Sequence, residues 1–147
     1  VLVSRIAENK RVFSNLLELV AQQGLRGQTL PGSFRSKLSQ ISIRILALEM
    51  TSLRILGRAD KGSEVGAEPS MLKLKGSELV QVQDELLFEL VGYLSVPLDS
   101  SMGGHQSVGS PMTEYISSGV YHHRGYTIAG GSSEVQHNII AKQVLGL

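Results

Sequence analysis

The residues best suited to chemistry lie near the C-terminus, where two glycines and two serines precede a helical pattern. Gly130 and Gly131 permit backbone angles, and a close approach to a ligand, that a side chain would forbid. Ser132 is a natural N-cap for the following helix, and Ser133 with Gln136 offers an alternative start as a capping box. Because a helix N-terminus presents unpaired N–H donors and about half a positive charge, the segment predicts either a phosphate site or an ordinary capped surface helix.

The residues on either side of this turn have patterns of their own. Residues 126–129 have a β-like pattern, so we expect the chain to approach the turn in an extended form. The apolar residues after the turn recur at helical spacing: Val135, Ile139, Ile140 and Val144. Gly146 then takes the position of a C-terminal cap.

Three long helical patterns precede this segment and must position it. We expect helices at about residues 4–23, 33–58 and 70–94, separated by breaks that contain glycine and proline. A loop at 95–111 and a short helix at about 112–123 lead to the final helix. The sequence therefore predicts an all-α fold, an antiparallel four-helix bundle with three long helices and a shorter terminal one.

Two features predict how these helices pack. The second helix carries apolar residues around more of its circumference than one stripe requires, so we expect it to be central and buried on several sides. Its apolar residues are Phe34, Leu38, Ile41, Ile43, Ile45, Leu46, Leu48, Met50, Leu53, Ile55 and Leu56. Gly76, inside the third helix, costs about 1 kcal/mol relative to alanine, and such a glycine often lets another helix approach closely.

Composition excludes several classes of protein. The chain has 147 residues, 41% of them hydrophobic, which suits one domain with a real core. A net charge of +1 without blocks of like charge gives no reason to expect nucleic-acid binding, and no apolar run approaches the roughly 20 residues of a membrane span. The absence of cysteine excludes disulfides and thiolate catalysis and favours an intracellular location. Because the chain begins at Val1 without methionine, we expect a truncated or processed product whose targeting segment, if any, lies upstream.

The remaining polar residues have ordinary interpretations. The histidines lack metal-ligand spacing, so we expect solvated imidazoles and no metal site: His105, His122, His123 and His137. Lys73 and Lys75 are interpreted as helix residues that need no functional account, and Arg124 as a packing or salt-bridge residue.

The C-terminal segment YTIAGGSSEVQHNIIAKQVLGL closely resembles the signature of acyl-CoA dehydrogenases, whose usual form is near "tIyGGTsEIQrniIAerlLGL". Ser132 conservatively replaces the usual threonine, and the segment PSMLKLKGSE resembles the family's "aSmaKlfaSE" helix start. The matching signature residues are Thr127, Ile128, Gly130, Gly131, Ser133, Glu134, Gln136, Asn138, Ile139, Ile140, Ala141, Leu145, Gly146 and Leu147. The resemblance implies that residues 1–147 are the C-terminal helical domain of a longer flavoenzyme, whose N-terminal helical and middle β domains are absent from this chain.

The resemblance also implies an FAD site shared between two subunits. The family's contacts to the ADP portion carry over to Ser132 and Glu134, beside Gly131. We expect Glu134 to face the ribose or adenine, because a diphosphate would repel it; its alternative role is to favour the helix dipole. Gly92 matches a Q-x-x-G-G-like turn that approaches the pyrophosphate of a neighbouring subunit's FAD, or it is a helix C-cap, and Tyr93 replaces the second glycine.

The chain departs from the family at the catalytic base. Many members have a glutamate at the position of Gly130, where it removes the α-proton of acyl-CoA while the β-hydrogen leaves as hydride to the flavin; glycine cannot do this. Some branches have the base on the preceding long helix, at a position upstream of Val1, and others pair a base-less subunit with a competent one. An arginine of the family falls on Gln23 here, so that contact is not carried over. We therefore predict no catalytic residue in this chain.

The resemblance implies part of an FAD-dependent acyl-CoA dehydrogenase of fatty acid metabolism, which oxidises an acyl-CoA thioester across its α and β carbons. The domain's own part would be FAD binding and assembly of a homo- or hetero-oligomer, a dimer or tetramer. The resemblance also implies that electron-transfer flavoprotein or a similar protein accepts the electrons. It further implies a location in the bacterial cytoplasm or the mitochondrial matrix. We expect the domain alone to be inactive. The alternative is a non-catalytic helical assembly module or base-less partner subunit that binds no flavin, which the departures at Gln23, Tyr93 and Gly130 favour.

Overall fold

The computed structural model describes residues 4–61, 65–95 and 116–146. Within these ranges the chain forms helices and no strand, so the all-α prediction is confirmed. The helices are α1 (Ile6–Leu25), α2 (Gly32–Ala59), α3 (Glu68–Val91), α4 (Ile116–Arg124) and α5 (Ser133–Ile140). Short 3₁₀ segments follow α3 (Gly92–Ser95) and α4 (Gly125–Thr127), and a π-helical turn (Ala141–Leu145) extends α5. None of the helices in the described part is long and apolar enough to cross a membrane.

The long helices alternate in direction, as expected for an antiparallel four-helix bundle. Lys37 near the start of α2 pairs with Glu89 near the end of α3 at 2.6 Å, while Arg58 at the end of α2 pairs with Glu68 at the start of α3. The chain after α4 also runs antiparallel to α3, because its successive hydrogen-bond partners move back along α3 from Gln81 towards the N-terminus of that helix. The predicted start of α4 at residue 112, the loop before it and His105 lie outside the described residues.

One hydrophobic core joins α1, α2, α3 and α4. It is formed by Val12, Leu16, Leu19, Phe34, Ile41, Ile45, Leu48, Ile55, Leu72, Leu79, Leu86, Leu87, Ile116 and Val120. The central helix is α3, because it contacts α1, α2, α4 and α5 and is buried over much of its circumference.

The prediction that α2 is central was wrong. Its core face is buried, but Ile43, Leu46 and Leu53 on the other face are 66%, 57% and 54% exposed. Hydropathy cannot distinguish a face that packs within the domain from one that the domain leaves uncovered. The central position belongs to α3, where small and polar residues such as Gly76 and Ser77 let neighbouring segments approach.

The predicted extended approach to the glycine turn was also wrong. Residues Gly125–Thr127 form a 3₁₀ helix, and the amides of Ile128 and Ala129 both donate to the carbonyl of Gly125. The β-like side chains find no neighbouring strand in the described part of the chain. The backbone of this segment is satisfied by local turns and by side chains of α3.

Gly76 allows the close approach that the sequence predicted. A Cβ atom at this position would collide with the carbonyl oxygen of Ser4, which precedes α1. The side-chain amide of Asn9 donates to the Gly76 carbonyl at 3.0 Å, and the Asn9 oxygen accepts from Gln83 at 2.8 Å. The N-terminal end of α1 therefore depends on the absence of a side chain at Gly76.

We predict that Gly76→Ala lowers the free energy of unfolding by about 1–3 kcal/mol, the usual cost of overpacking. Urea unfolding followed by circular dichroism measures this. Gly24→Ala is the matched control, because a Cβ there meets no atom within 4 Å and alanine is the better helix former. Equal stability of the two variants would contradict the close-packing account.

Candidate functional site

The glycine turn and the helix after it have the local structure of an N-terminal cap. Gly130 and Gly131 have φ of 75° and 100°, which side chains rarely adopt. Ser132 is extended, and its hydroxyl accepts from the amide of Val135 at 3.4 Å, so it is the N-cap of α5. The alternative start at Ser133 is excluded, because Gln136 turns back and donates to the carbonyl of Gly130 at 3.0 Å.

Three side chains on one face of α3 hold the backbone that leads into this turn. Lys73, Ser77 and Gln81 are four residues apart, so they lie on the same face of the helix. Each has a donor within hydrogen-bond distance of main-chain carbonyls of the C-terminal segment: Lys73 of Gly131 at 2.5 Å and Thr127 at 3.3 Å, Ser77 of Tyr126 at 3.2 Å, and Gln81 of His123 at 3.2 Å. The single hydroxyl proton of Ser77 is shared, because the carbonyl of Lys73 on the same helix lies closer, at 2.8 Å. The position of the turn is thus set by α3 rather than by the turn itself.

Lys73, interpreted from the sequence as a helix residue that needs no functional account, has contacts that the sequence did not indicate. Its side chain is buried, with 4% of the residue exposed. Burial lowers the pKa of Lys73, the charge of Arg5 acts in the same direction, and Glu134 opposes them. Lys75, by contrast, is exposed and pairs with Glu78 at 2.9 Å, as expected for a solvated helix residue.

Glu134 interacts with the N-terminus of its own helix. Its own backbone N–H and the hydroxyl of Ser132 stabilise the carboxylate and hold the pKa of Glu134 below its ordinary value. The side chain is exposed. A bound anion would therefore meet this carboxylate at the helix end, and a ligand that avoids repulsion must place a neutral group beside it.

The turn has open space on one side and donors of the type that phosphate oxygens accept. A Cβ atom at Gly130 would meet no heavy atom within 4 Å, so space is open beside the positive-φ backbone. Gly131 instead packs against Gln136, and a Cβ there would collide with the amide nitrogen of that side chain. The donors are backbone amides at the start of α5, with the ammonium of Lys73 behind them, whereas the hydroxyl of Ser132 already interacts with Val135 and Glu134.

The structure does not bring Gly92 to this turn. Gly92 ends α3 as its C-cap with φ of 62°, as one of its two interpretations predicted, and Tyr93 beside it is 82% exposed. Gly92 lies nineteen residues along α3 from Lys73, which is about 28 Å at 1.5 Å per residue. Within one chain, Gly92 and Ser132 therefore belong to different sites.

His123 belongs to a buried cluster that the sequence interpretation missed. Its side chain is 5% exposed, with Nδ1 3.0 Å from both carboxylate oxygens of Asp84 and Nε2 3.1 Å from Glu8. The expectation of a solvated imidazole was wrong for this residue. Ile116, Val120 and His123 are all buried at helical spacing, a pattern that could have indicated its position.

Burial and charge pairing oppose each other in this cluster: pairing prevails at His123, whereas burial prevails at Asp84 and leaves its pKa above the ordinary value. Burial lowers the pKa of His123, but the carboxylates of Asp84 and Glu8 together outweigh it and raise that pKa above its ordinary value. Burial raises the pKa of Asp84, and His123 acts in the opposite direction. Arg5 lies 3.4 Å from the ring centre of Tyr126, whose ring in turn packs against that of His123.

The cluster has the features of a structural element. The cavity beside it is about 90 Å³, whereas ligand pockets usually measure about 300–1,000 Å³. No group of three metal-binding side chains occurs in the residues that the structure describes. Arg124, next to His123, forms the predicted salt bridge, with Glu85 at 3.3 Å.

Comparison with known proteins gives one family and one solved structure. The family model described as "Acyl-CoA dehydrogenase, C-terminal domain" matches residues 2–145. The solved structure, described as the Tcur3481-Tcur3483 steroid ACAD, matches 97% of this chain with a TM-score of 0.73 and 19% sequence identity. At that identity the likeness shows the fold, and the chain spans 35% of the length of that protein. No curated protein sequence matches the chain significantly.

We predict that the stability of the fold depends on pH through His123. Because the fold raises the pKa of His123, its stabilising contribution is complete below about pH 6.5 and is lost as pH rises through the folded-state value. His123→Gln should lower the unfolding free energy at pH 6 by about 3–5 kcal/mol, because it leaves Asp84 buried without its partner. The variant should also show a weaker fall in stability between pH 6 and pH 9.

Urea unfolding at a series of pH values measures both effects. His122→Gln is the matched control, because His122 is the adjacent residue and its side chain is exposed. If His123→Gln keeps the stability and the pH dependence of the wild type, the cluster is not a stabilising charge pair.

Proposed function

Since this chain belongs to the acyl-CoA dehydrogenase family, through its C-terminal domain, we propose that it is the flavin-binding and subunit-assembling domain of a longer dehydrogenase. In this proposal residues 1–147 form one helical domain, and the N-terminal helical and middle β domains lie elsewhere in the polypeptide. The observation that carries the proposal is the turn at Gly130 and Gly131. It combines a glycine backbone at positive φ, a capped helix N-terminus and a buried lysine at the place of the family signature.

We assign the turn to the ADP portion of FAD. Gly131 and Ser132 would approach the diphosphate, because amide and hydroxyl donors suit phosphate oxygens at a helix N-terminus. Glu134 would face the ribose or adenine, where its carboxylate can accept hydrogen bonds without repulsion from the phosphates. Gly92 would approach the flavin of a neighbouring subunit, which agrees with its position at the far end of α3.

The chain's own residues would bind and orient the cofactor but not remove a proton from the substrate. When bound, FAD accepts the β-hydrogen of an acyl-CoA thioester as hydride. Gly130 occupies the position of the glutamate base in many relatives and carries no acid or base. The base would therefore come from a helix upstream of Val1 or from a partner subunit, and the electrons would leave to electron-transfer flavoprotein or a similar acceptor.

The outer face of α2 supports the assembly role. Ile43, Leu46, Met50 and Leu53 are 43–66% exposed and recur at intervals of three and four residues. This is the spacing of the seam through which two helices pack in a coiled coil. The family is generally oligomeric, so we propose that this face, which we call the α2 seam, packs against another subunit.

A second candidate function is an assembly module that binds no flavin. Two observations favour it: the carboxylate of Glu134 already interacts with the helix N-terminus, and exposed Tyr93 replaces a glycine of the family's second flavin turn. The flavin content of the complete protein distinguishes the two functions.

We predict that the complete polypeptide purifies with bound FAD and that Gly131→Val removes most of it. Valine at φ of 100° is strained, and its Cβ collides with Gln136, so the turn must change shape. The ratio of flavin to protein absorbance measures occupancy. Gly125→Ala, with room for a Cβ and no positive φ, should retain the cofactor. A colourless wild-type protein would favour the assembly module instead.

We predict that Leu46→Glu weakens subunit association by at least about tenfold, because it removes an apolar contact and buries a charge. Light scattering coupled to size-exclusion chromatography over a range of concentrations measures the association. Leu25→Glu is the control, because Leu25 is 89% exposed at the end of α1 and lies off the α2 seam. An unchanged mass for Leu46→Glu would remove the α2 seam from the interface.

A further inference from the structure

The two carbonyl groups of the glycine pair are held by side chains from two different helices. Lys73 on α3 donates to the carbonyl of Gly131 at 2.5 Å, and Gln136 on α5 donates to that of Gly130 at 3.0 Å. In a planar trans peptide the N–H of the next residue points opposite to the carbonyl. The amides of Gly131 and Ser132 therefore point away from Gln136 and Lys73 respectively.

Of these two amides, that of Ser132 is the more strongly polarised as a hydrogen-bond donor. Its peptide group accepts a charge-assisted hydrogen bond from the ammonium of Lys73, a residue that is 4% exposed. A donor bound to the carbonyl polarises the peptide group and strengthens the N–H on the other side, since hydrogen bonds in a chain reinforce one another. An anion in front of Ser132 would thus interact with Lys73 through the peptide group.

Burial of Lys73 at this position costs desolvation free energy. An ammonium loses its hydration on burial, and carbonyl oxygens of Gly131 and Thr127 replace only part of it. Lys75, two residues along the same helix, does not bear this cost, because its ammonium lies in solvent and pairs with Glu78. The chain therefore has a charge behind the turn, where an apolar side chain would pack at lower cost.

We propose that Lys73 is a positioning residue of the flavin diphosphate site, which fixes the peptide group between Gly131 and Ser132 so that the Ser132 amide faces the phosphates. This inference rests on the proposed flavin function. It adds to that function a residue 58 positions away in sequence, on a helix that the signature does not include. Lys73 itself stays behind the turn and acts through the backbone.

The test measures FAD affinity in the complete polypeptide after removal and re-addition of the cofactor. Lys73→Met keeps a similar length but loses the charge and both hydrogen bonds, so FAD should bind about 10- to 100-fold more weakly. Lys75→Met is the matched control for a lost lysine charge on the same helix and should bind FAD as the wild type does. Flavin fluorescence on titration gives the dissociation constants.

A second variant separates positioning from simple tethering. Ser77→Ala removes a hydroxyl that lies 3.2 Å from the Tyr126 carbonyl of the same segment and 2.8 Å from the Lys73 carbonyl within α3, without touching the glycine pair. If α3 only tethers the segment, Ser77→Ala and Lys73→Met should weaken FAD binding similarly. Under the proposal, the loss in Lys73→Met is at least about fivefold larger, since hydrogen bonds to charged groups are stronger than neutral ones.

Competition with ADP and adenosine gives a readout that a merely structural role would not change. The wild-type apoprotein should prefer ADP to adenosine, and Lys73→Met should lose most of that preference, because only ADP carries the diphosphate. If Lys73→Met fails to fold, Lys73→Gln, which keeps one amide donor without the charge, takes its place and should show the same loss of preference.

The outcomes distinguish this inference from the proposed function. Wild-type affinity and ADP preference in Lys73→Met would overturn the role of Lys73 and leave flavin binding intact. Equal losses in Lys73→Met and Ser77→Ala would also overturn it in favour of tethering. A wild-type protein that binds neither FAD nor ADP would overturn the proposed function and the role of Lys73 together.

Discussion

The rest of this structure depends on the buried ammonium of Lys73 and the carbonyls to which it donates. These hydrogen bonds fix the C-terminal turn to the central helix, at the point where the family signature begins. A buried charge tolerates few arrangements, because each donor must find an acceptor. Gly131, at positive φ, supplies one of those acceptors and Thr127 supplies the other, so the conformation of the turn and the position of the lysine are linked.

The need of buried polar groups for partners also explains why α3 is the centre of the bundle. Helices usually pack through apolar faces, but α3 also buries Ser77, Gln83 and Asp84, each directed to a partner on another element. Polar pairs of this kind add little net stability, because desolvation offsets much of their attraction. They instead fix register: Asp84 accepts from His123, and Gln83 meets Asn9, only when α1, α3 and α4 are correctly aligned.

The functional proposal follows from what the turn offers and what it lacks. It offers backbone donors and a positive charge, which suit a diphosphate, and at Gly130 it lacks the carboxylate that would make it a catalytic centre. In the proposed function, binding and proton removal are therefore separated, and proton removal would belong to another segment or subunit. The far position of Gly92 and the uncovered seam of α2 both agree with a site completed by assembly.

The sequence by itself determined the family, the all-α class, the order and approximate ends of the helices, the Ser132 cap and the close approach at Gly76. The family followed from the resemblance of the C-terminal segment to a known signature. The other features depend on local periodicity, on capping and on glycine, which neighbouring residues encode. Only the tertiary structure decided that α3 rather than α2 is central, that residues 125–129 are helical turns, and that Lys73 and His123 are buried. Each of these depends on partners 39 to 58 residues away or on which apolar face finds a neighbour, and spacing along one helix cannot specify that.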